Sequence, residues 1–310
     1  MSSLSQPHLH DEAEAYRFVE AALWPNGPVC HRCGETKRVS KMNGKSTRIG
    51  VYKCYVCRKP FRVTVGTVFE ASHIPLHKWL QALLLLCSSK KGFSANQLGR
   101  TLGIQVRSAW FMGHRIREAM RSGELEPMVG VVEIDETVYG RASTHPQGRQ
   151  RYSGSQHRNV ILSLVQRDGG VRSYHVEGST VGQVIPIVQE NISREAALMT
   201  DSAQLYKYQL GKFASHDRVD HSQDEYVRHE EGKPVIHTNT VEGYFSVFKR
   251  GMRGTYQHCK EKHLHRYLAE FDFRYNNRSA LGVEDLERAD KALRGVSGKR
   301  LTYRKARRAA

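Results

Sequence analysis

Three acids stand where side chains able to do chemistry would be exposed by a fold. Asp135 lies in GVVEIDETVYG, a β-favouring run whose alternation puts Glu133, Asp135 and Thr137 on one face and Ile134 on the other. Asp201 directly follows AALMT, at the C-terminal end of a second apolar run, where an α/β sheet exposes its binding groups. Glu242 falls in HTNTVEGYFSVFK, where Val241, Tyr244, Phe245 and Phe248 make the apolar stripe of a helix packed on a sheet. Such a set offers three hard oxygen ligands to Mg²⁺ or Mn²⁺ and leaves coordination positions for water and phosphate. Two such ions suit in-line attack at phosphorus without a covalent protein nucleophile. Lys249 follows Glu242 by seven residues, nearly two helical turns, and shares its face, so it can grip a phosphate beside the metal. The neighbouring acids Glu133, Glu136, Asp217, Asp220 and Asp224 read as surface charges. His216, His221, His229 and His237 read as phosphate or solvent contacts, with His237 near enough to assist positioning.

A second constellation is made of thiols. Cys30 and Cys33 are followed, after 20 residues, by Cys54 and Cys57, the spacing of a closed tetrahedral zinc site. Four sulfur ligands leave no open position, so this Zn is structural. Cys87 and Cys259 remain as ordinary thiols, and paired Cys-x-x-Cys units point to metal in a reducing compartment rather than to disulfides. Between Cys30 and Val65 stand ten Lys or Arg and one acid, Glu35, a basic surface suited to phosphate.

These groups need elements to hold them. Residues 10–23 carry apolar positions at helical spacing and predict a short leading helix, and the β-favouring runs around the cysteines predict a ribbon. Residues 75–120 read as helical. Within them FSANQLGRTLGIQVRSAWFMGHRIREAM has helix-turn-helix grammar: Ser94 caps a first helix, Gly103 turns the chain, and 105–117 form a second. Arg107, His114, Arg115 and Arg117 would then line a polar face for a major groove, with Arg107 and Arg115 as the DNA contacts. Past Pro127 the pattern predicts strands at 131–137, 160–166 and 171–176, a helix at 181–192 interrupted by Pro186, a strand at 197–200, and helices at 241–249 and 262–275.

The domains expected are a leading helix (1–24), a zinc ribbon (25–70), a helical DNA-binding region (71–125), a catalytic α/β domain (126–285) and a basic C-terminal tail (286–310). The α/β domain should be a mixed five-stranded sheet flanked by helices. The tail holds Lys299, Arg300, Arg304, Lys305, Arg307 and Arg308. With 48 Lys and Arg against 31 Asp and Glu, a formal charge of +17, the chain suits a polyanion. No run approaches the length of a membrane span, and the polar, acidic N-terminus is unlike a secretion signal, so a cytoplasmic protein with no membrane partner is expected.

VEIDETVYG, TDSAQLY, HTNTVEGYFSVFKRGMRGTY and YLAEFDFRYNNR, with the ribbon and the helical region in order before them, resemble the bacterial insertion-sequence transposases. These join an N-terminal zinc ribbon to a DDE catalytic domain of ribonuclease-H-like fold, and the likeness covers roughly residues 15–280. The resemblance implies that Asp135, Asp201 and Glu242 match the catalytic triad and that Lys249 matches the lysine contacting the transposon end. Some relatives carry Asn at the third position, which leaves Asn239 as its alternative; the spacing to Lys249 favours Glu242. It also implies cleavage at element ends, strand transfer by the freed 3′-hydroxyl into target DNA, and a homo-oligomer on DNA. Two rival readings share these residues: a zinc-ribbon and helix-turn-helix regulator, and a nuclease that cuts without joining.

Overall fold

The computed structural model describes residues 3–121, 123, 125–140, 159–201, 206 and 209–302. The chain divides into two compact units, Met1–Arg121 with Val283–Ala310, and Ser122–Gly282.

In the first unit α1 (Glu12–Leu23) is capped by the Asp11 side chain, which accepts the Glu14 N–H. Three short antiparallel strands follow, β1 (Val39–Lys41), β2 (Tyr52–Cys54) and β3 (Pro60–Phe61), in the order β1-β2-β3. Their small core is Cys30, Tyr52, Cys54 and Phe61, with Trp24 packed edge-on against both rings. Then come α2 (Leu76–Ser88), α3 (Ala95–Leu102) and α4 (Val106–Met120). Helix α2 starts at Pro75 without a cap of its own. Glu12, from α1, accepts the N–H groups of Leu76 and His77 at 2.8 and 3.1 Å and fills that role from a distance. Between α3 and α4 the turn is as the sequence predicts: Ser94 caps α3 through the Gln97 N–H, and Gly103 takes the left-handed conformation.

The second unit is a five-stranded sheet with helices on both faces. Its strands are β4 (Val131–Tyr139), β5 (Asn159–Gln166), β6 (Val171–Val176), β7 (Ala197–Asp201) and β8 (Ser215–Val219), in the order β6-β5-β4-β7-β8. The first three pair antiparallel; β7 and β8 run parallel to β4. A parallel return needs a crossover, and α5 (Val181–Asn191) supplies it despite Pro186. Its Val184, Ile185 and Val188 pack with Val132, Ile134, Leu162, Leu164 and Leu198 on one face. The other face is covered by α6 (Asn239–Gly251) and α7 (Glu261–Asn276), whose Val241, Phe245, Phe248, Leu268 and Phe271 meet Ile161, Val165 and Val171. Strand β4 therefore sends Val132 and Ile134 to the α5 side and Glu133, Asp135 and Thr137 to the α6 side, the alternation read from the sequence.

A last helix, α8 (Asp285–Arg294), returns to the first unit. The sequence reading of 286–310 as a basic tail is corrected over its first part. Ala292, Leu293 and Val296 are buried, α8 packs on α2, and the Arg288 guanidinium donates to the Cys87 carbonyl at 3.0 Å. A side chain at Gly295 would meet the Ala119 carbonyl oxygen at 2.3 Å, so this joint requires glycine. Beyond it Lys299 donates to the carbonyls of Ala119 and Arg121. Arg304, Lys305, Arg307 and Arg308 lie outside the described residues.

Candidate active site

The geometry on β4 begins with Glu133. Its side chain is completely buried, and a buried carboxylate must be paired and hydrogen-bonded to be tolerated. It is: Oε2 accepts the N–H groups of Thr240 and Val241 at 2.8 and 2.9 Å, and Oε1 accepts the Thr240 hydroxyl at 2.7 Å and Nε of Arg167 at 2.6 Å. The residues carrying those N–H groups open α6, whose N-cap Thr238 makes no side-chain cap. A strand carboxylate thus caps a helix over 100 residues away and sits at its positive dipole end. Arg167 extends the clamp, donating to the carbonyls of Val235 (2.5 Å) and His237 (2.9 Å), and His237 Nδ1 lies 3.1 Å from Glu133 Oε1. Burial, with Arg167 second, holds the His237 imidazole below the usual histidine range. Glu133, expected as a surface charge, is the anchor of α6.

That anchor brings the candidate acids near one another. Asp135 is the next residue on the same face of β4. In the parallel β4–β7 pair Glu133 is opposite Met199, and Asp135 and Asp201 each lie two residues further on. Glu242 is in the first turn of α6 and exposed. Asp135 feels all this: burial, then the Asp201 charge, with smaller repulsion from Glu136 and Glu242, pushes its carboxyl up to about 7. Glu136 is also half-buried rather than a surface acid. Burial pushes it up to about 7 while the Tyr206 hydroxyl, donated at 2.6 Å, opposes the rise. Carboxylates that repel in the absence of a cation form a site suited to one. Glu242 Oε1 accepts the Thr238 hydroxyl at 3.0 Å and lies 3.3 Å from His221 Nε2, so His221 flanks the third acid. Lys249 lies farther along α6, its ammonium 6.0 Å from the Phe245 ring centre. Asn239 is the first residue of α6, exposed, one turn before Glu242.

Among the other acids and histidines, Asp217 is buried and pairs with Lys233 at 2.9 Å, and Asp220 caps a short turn through the Ser222 N–H. Asp224 and His229 are exposed. His216 is within 2.9 Å of the Thr200 hydroxyl, and burial lowers it to about 4, so it is a neutral structural group.

The thiols form the tightest cluster. Among the described residues, Cys30, Cys33, Cys54 and Cys57 are the group of three or more metal-ligating side chains close enough to share an ion, with all four sulfurs within 4.8 Å; the carboxylates stand more openly. Cys30–Cys57 and Cys33–Cys54 are separated by 3.7 and 3.6 Å. A tetrahedron with Zn–S bonds of about 2.3 Å has an edge of about 3.8 Å, so the donor set fits Zn²⁺ and leaves no open position.

On α4 one expectation is overturned. Arg115 is buried, as are His114 and Arg117. Its guanidinium donates to the Glu70 carbonyl at 2.5 Å and lies over the rings of Trp79 (5.2 Å) and Phe111 (5.6 Å). Desolvation lowers it to about 10. It is a structural cation and presents nothing to a phosphate, whereas Arg107, in the first turn of α4, is exposed.

The family model of the ISXO2-like transposase domain matches residues 127–276, and that of a transposase zinc-ribbon domain matches residues 10–60. The chain is also 27% identical over 284 residues to an uncharacterized protein in transposable element ISH50 of Halobacterium salinarum, covering 85% of this chain and 90% of that protein. Among the described residues no helix is long and apolar enough to cross a membrane.

Proposed function

Because the chain belongs to the insertion-sequence transposases that pair a zinc ribbon with an ISXO2-like transposase domain, we propose that it cuts DNA at the ends of its element and joins the freed 3′-hydroxyls to target DNA. Asp135, Asp201 and Glu242 are the catalytic carboxylates. The observation that carries this reading is Asp135, pushed up to about 7 by burial and by the charges of Asp201, Glu136 and Glu242 on two strands and a helix. Mg²⁺ or Mn²⁺, as a pair of ions, would be held by these acids and would supply Lewis-acid stabilisation of the charge developing at phosphorus. The protein's part is to hold the acids in place, and the cations would favour their ionised form. Glu133 and Arg167 fix the start of α6, His221 and Thr238 orient the Glu242 carboxylate, and Lys249 draws the phosphate backbone to the same helix.

The ribbon and the 71–125 helices grip DNA through charge, with Arg107 of α4 as the groove contact and the four-cysteine zinc site holding the ribbon's shape. Two ends must be joined, so the working form is a homo-oligomer on DNA. The test is a strand-transfer assay with Mn²⁺ on the element's own ends. Joined products should fall on the order of 10³-fold in Asp135→Asn, Asp201→Asn and Glu242→Gln, corresponding to several kcal/mol of lost charge stabilisation, and should survive Asn239→Ala. Cleavage without joining would replace the reading by a plain nuclease, and tight binding with no metal-dependent product by a regulator.

A further inference from the structure

A second polar constellation lies on the same face of the sheet, away from the three acids. Asp272 of α7 accepts the Tyr244 hydroxyl at 2.5 Å and the Ser173 hydroxyl at 2.8 Å on Oδ1, and the Ser173 N–H at 2.8 Å on Oδ2. Ser173 Oγ is 2.9 Å from Ser163 Oγ, and with the Ser173 proton directed to Asp272 the Ser163 hydroxyl is the donor of that bond. Ser163 is the register partner of Ser173 on β6 and, across the other edge of β5, of Asp135 itself. Tyr244 belongs to α6, two residues past Glu242, and is buried. One hydrogen-bond chain therefore runs from the residue opposite Asp135, through β6 and α7, to the helix that carries Glu242.

Stability alone does not ask for this arrangement. An enclosed carboxylate is costly, and burial raises Asp272 to about 6 even though three donors point at it. The surrounding layer is otherwise aromatic and aliphatic and would pack without it. What directional bonds add to an apolar layer is register: α6 can neither slide nor roll on the sheet without breaking the Tyr244–Asp272 contact.

We propose that Asp272 is a positioning residue which, through Tyr244 on one side and Ser173 and Ser163 on the other, fixes the spacing of Glu242 from Asp135 that a divalent cation requires. This rests on the carboxylate reading above, and its test uses metal binding rather than transposition. The zinc-loaded full chain is titrated with Mn²⁺, and the free ion is followed by electron paramagnetic resonance. Asp272→Asn and Tyr244→Phe are compared with wild type and with Asp135→Asn, alongside unfolding midpoints. The expected result is a Mn²⁺ dissociation constant raised about tenfold or more in both variants, the size usual for groups that orient a metal ligand, with Tyr244→Phe near wild type in thermal midpoint. Should Asp272→Asn fail to fold, Tyr244→Phe carries the test, since it removes one oxygen and no volume from the core. Wild-type Mn²⁺ affinity in the folded variants would overturn the proposal and leave Asp272 a stability element. Wild type binding no better than Asp135→Asn would instead overturn the carboxylate reading, and the proposal with it.

Discussion

Glu133 Oε2 accepts the backbone N–H of Val241 at 2.9 Å, so a strand residue terminates a helix that begins 106 residues later, and the residue after Val241 is Glu242. Removing this carboxylate leaves the Arg167 cation and two helix N–H groups without their partner in the interior. Glu133→Ala should cost about 3–5 kcal/mol in chemical unfolding of the full chain. Glu133→Gln keeps the shape but loses the charge; it should keep the fold while lowering strand transfer. Full activity in a folded Glu133→Gln variant would show that α6 holds its place by packing alone.

The two arginines expected on DNA should separate cleanly. Arg115→Ala removes a buried cation from Trp79 and Phe111 and should lower stability by about 2–4 kcal/mol. Arg107→Ala should weaken DNA binding and reduce the slope of log affinity against log salt by about one. A salt series by fluorescence anisotropy reads both; an unchanged slope for Arg107→Ala would remove that residue from the interface.

Zinc removal should be felt locally. A strong chelator should release one zinc per chain and, because Trp24 packs on Tyr52 and Phe61 beside the thiols, shift tryptophan emission to the red. Cys54→Ser should reproduce that spectrum without chelator. The far-ultraviolet signal of the five-stranded sheet should persist in both cases, since its core contains none of these residues.

Asp272 gives stability a pH dependence of known sign. Its carboxyl is raised from the usual 3.8 to about 6 in the folded chain. The folded state therefore binds the proton more tightly than the unfolded state. That contribution is complete below about pH 4 and is lost as the pH rises through 6. Relative to Asp272→Asn, wild type should lose about 2 kcal/mol between pH 4 and pH 7. Parallel profiles for the two proteins would mean that Asp272 does not titrate in this range.

How much of this is legible in the sequence depends on the distance between partners. The alternation in VEIDETVYG and the capping and turn residues Ser94 and Gly103 are local signals, and the corresponding elements form where they predict. The two Cys-x-x-Cys units likewise declare their cluster by spacing. The role of Glu133 is hidden because its partners at 240, 241 and 167 are remote, although an acid two residues before Asp135 on a strand buried on both faces is an available sign. Arg115 misleads for the same reason: on a helical wheel it is polar, and only Trp79 and Phe111 make its site a buried one. Strand β8, SHDRV, has too few apolar residues to stand out, and α8 is obscured by its charges, burying Arg288, Ala292 and Leu293 on one narrow side.

The return of α8 has a consequence for how the chain is made. Ribosomal synthesis delivers α2 and α4 long before the helix that completes their packing, and the whole sheet unit is produced in between. The unit begun before the sheet is thus finished after it, and until residue 283 and those after it arrive, the α8-facing sides of Leu80, Leu83 and Leu84 remain uncovered. A product cut short after Gly282 would carry every acid of the sheet unit on a chain whose other unit is left unfinished. Loss of the residues after Gly282 would therefore act through instability of a unit begun more than 150 residues earlier in the sequence.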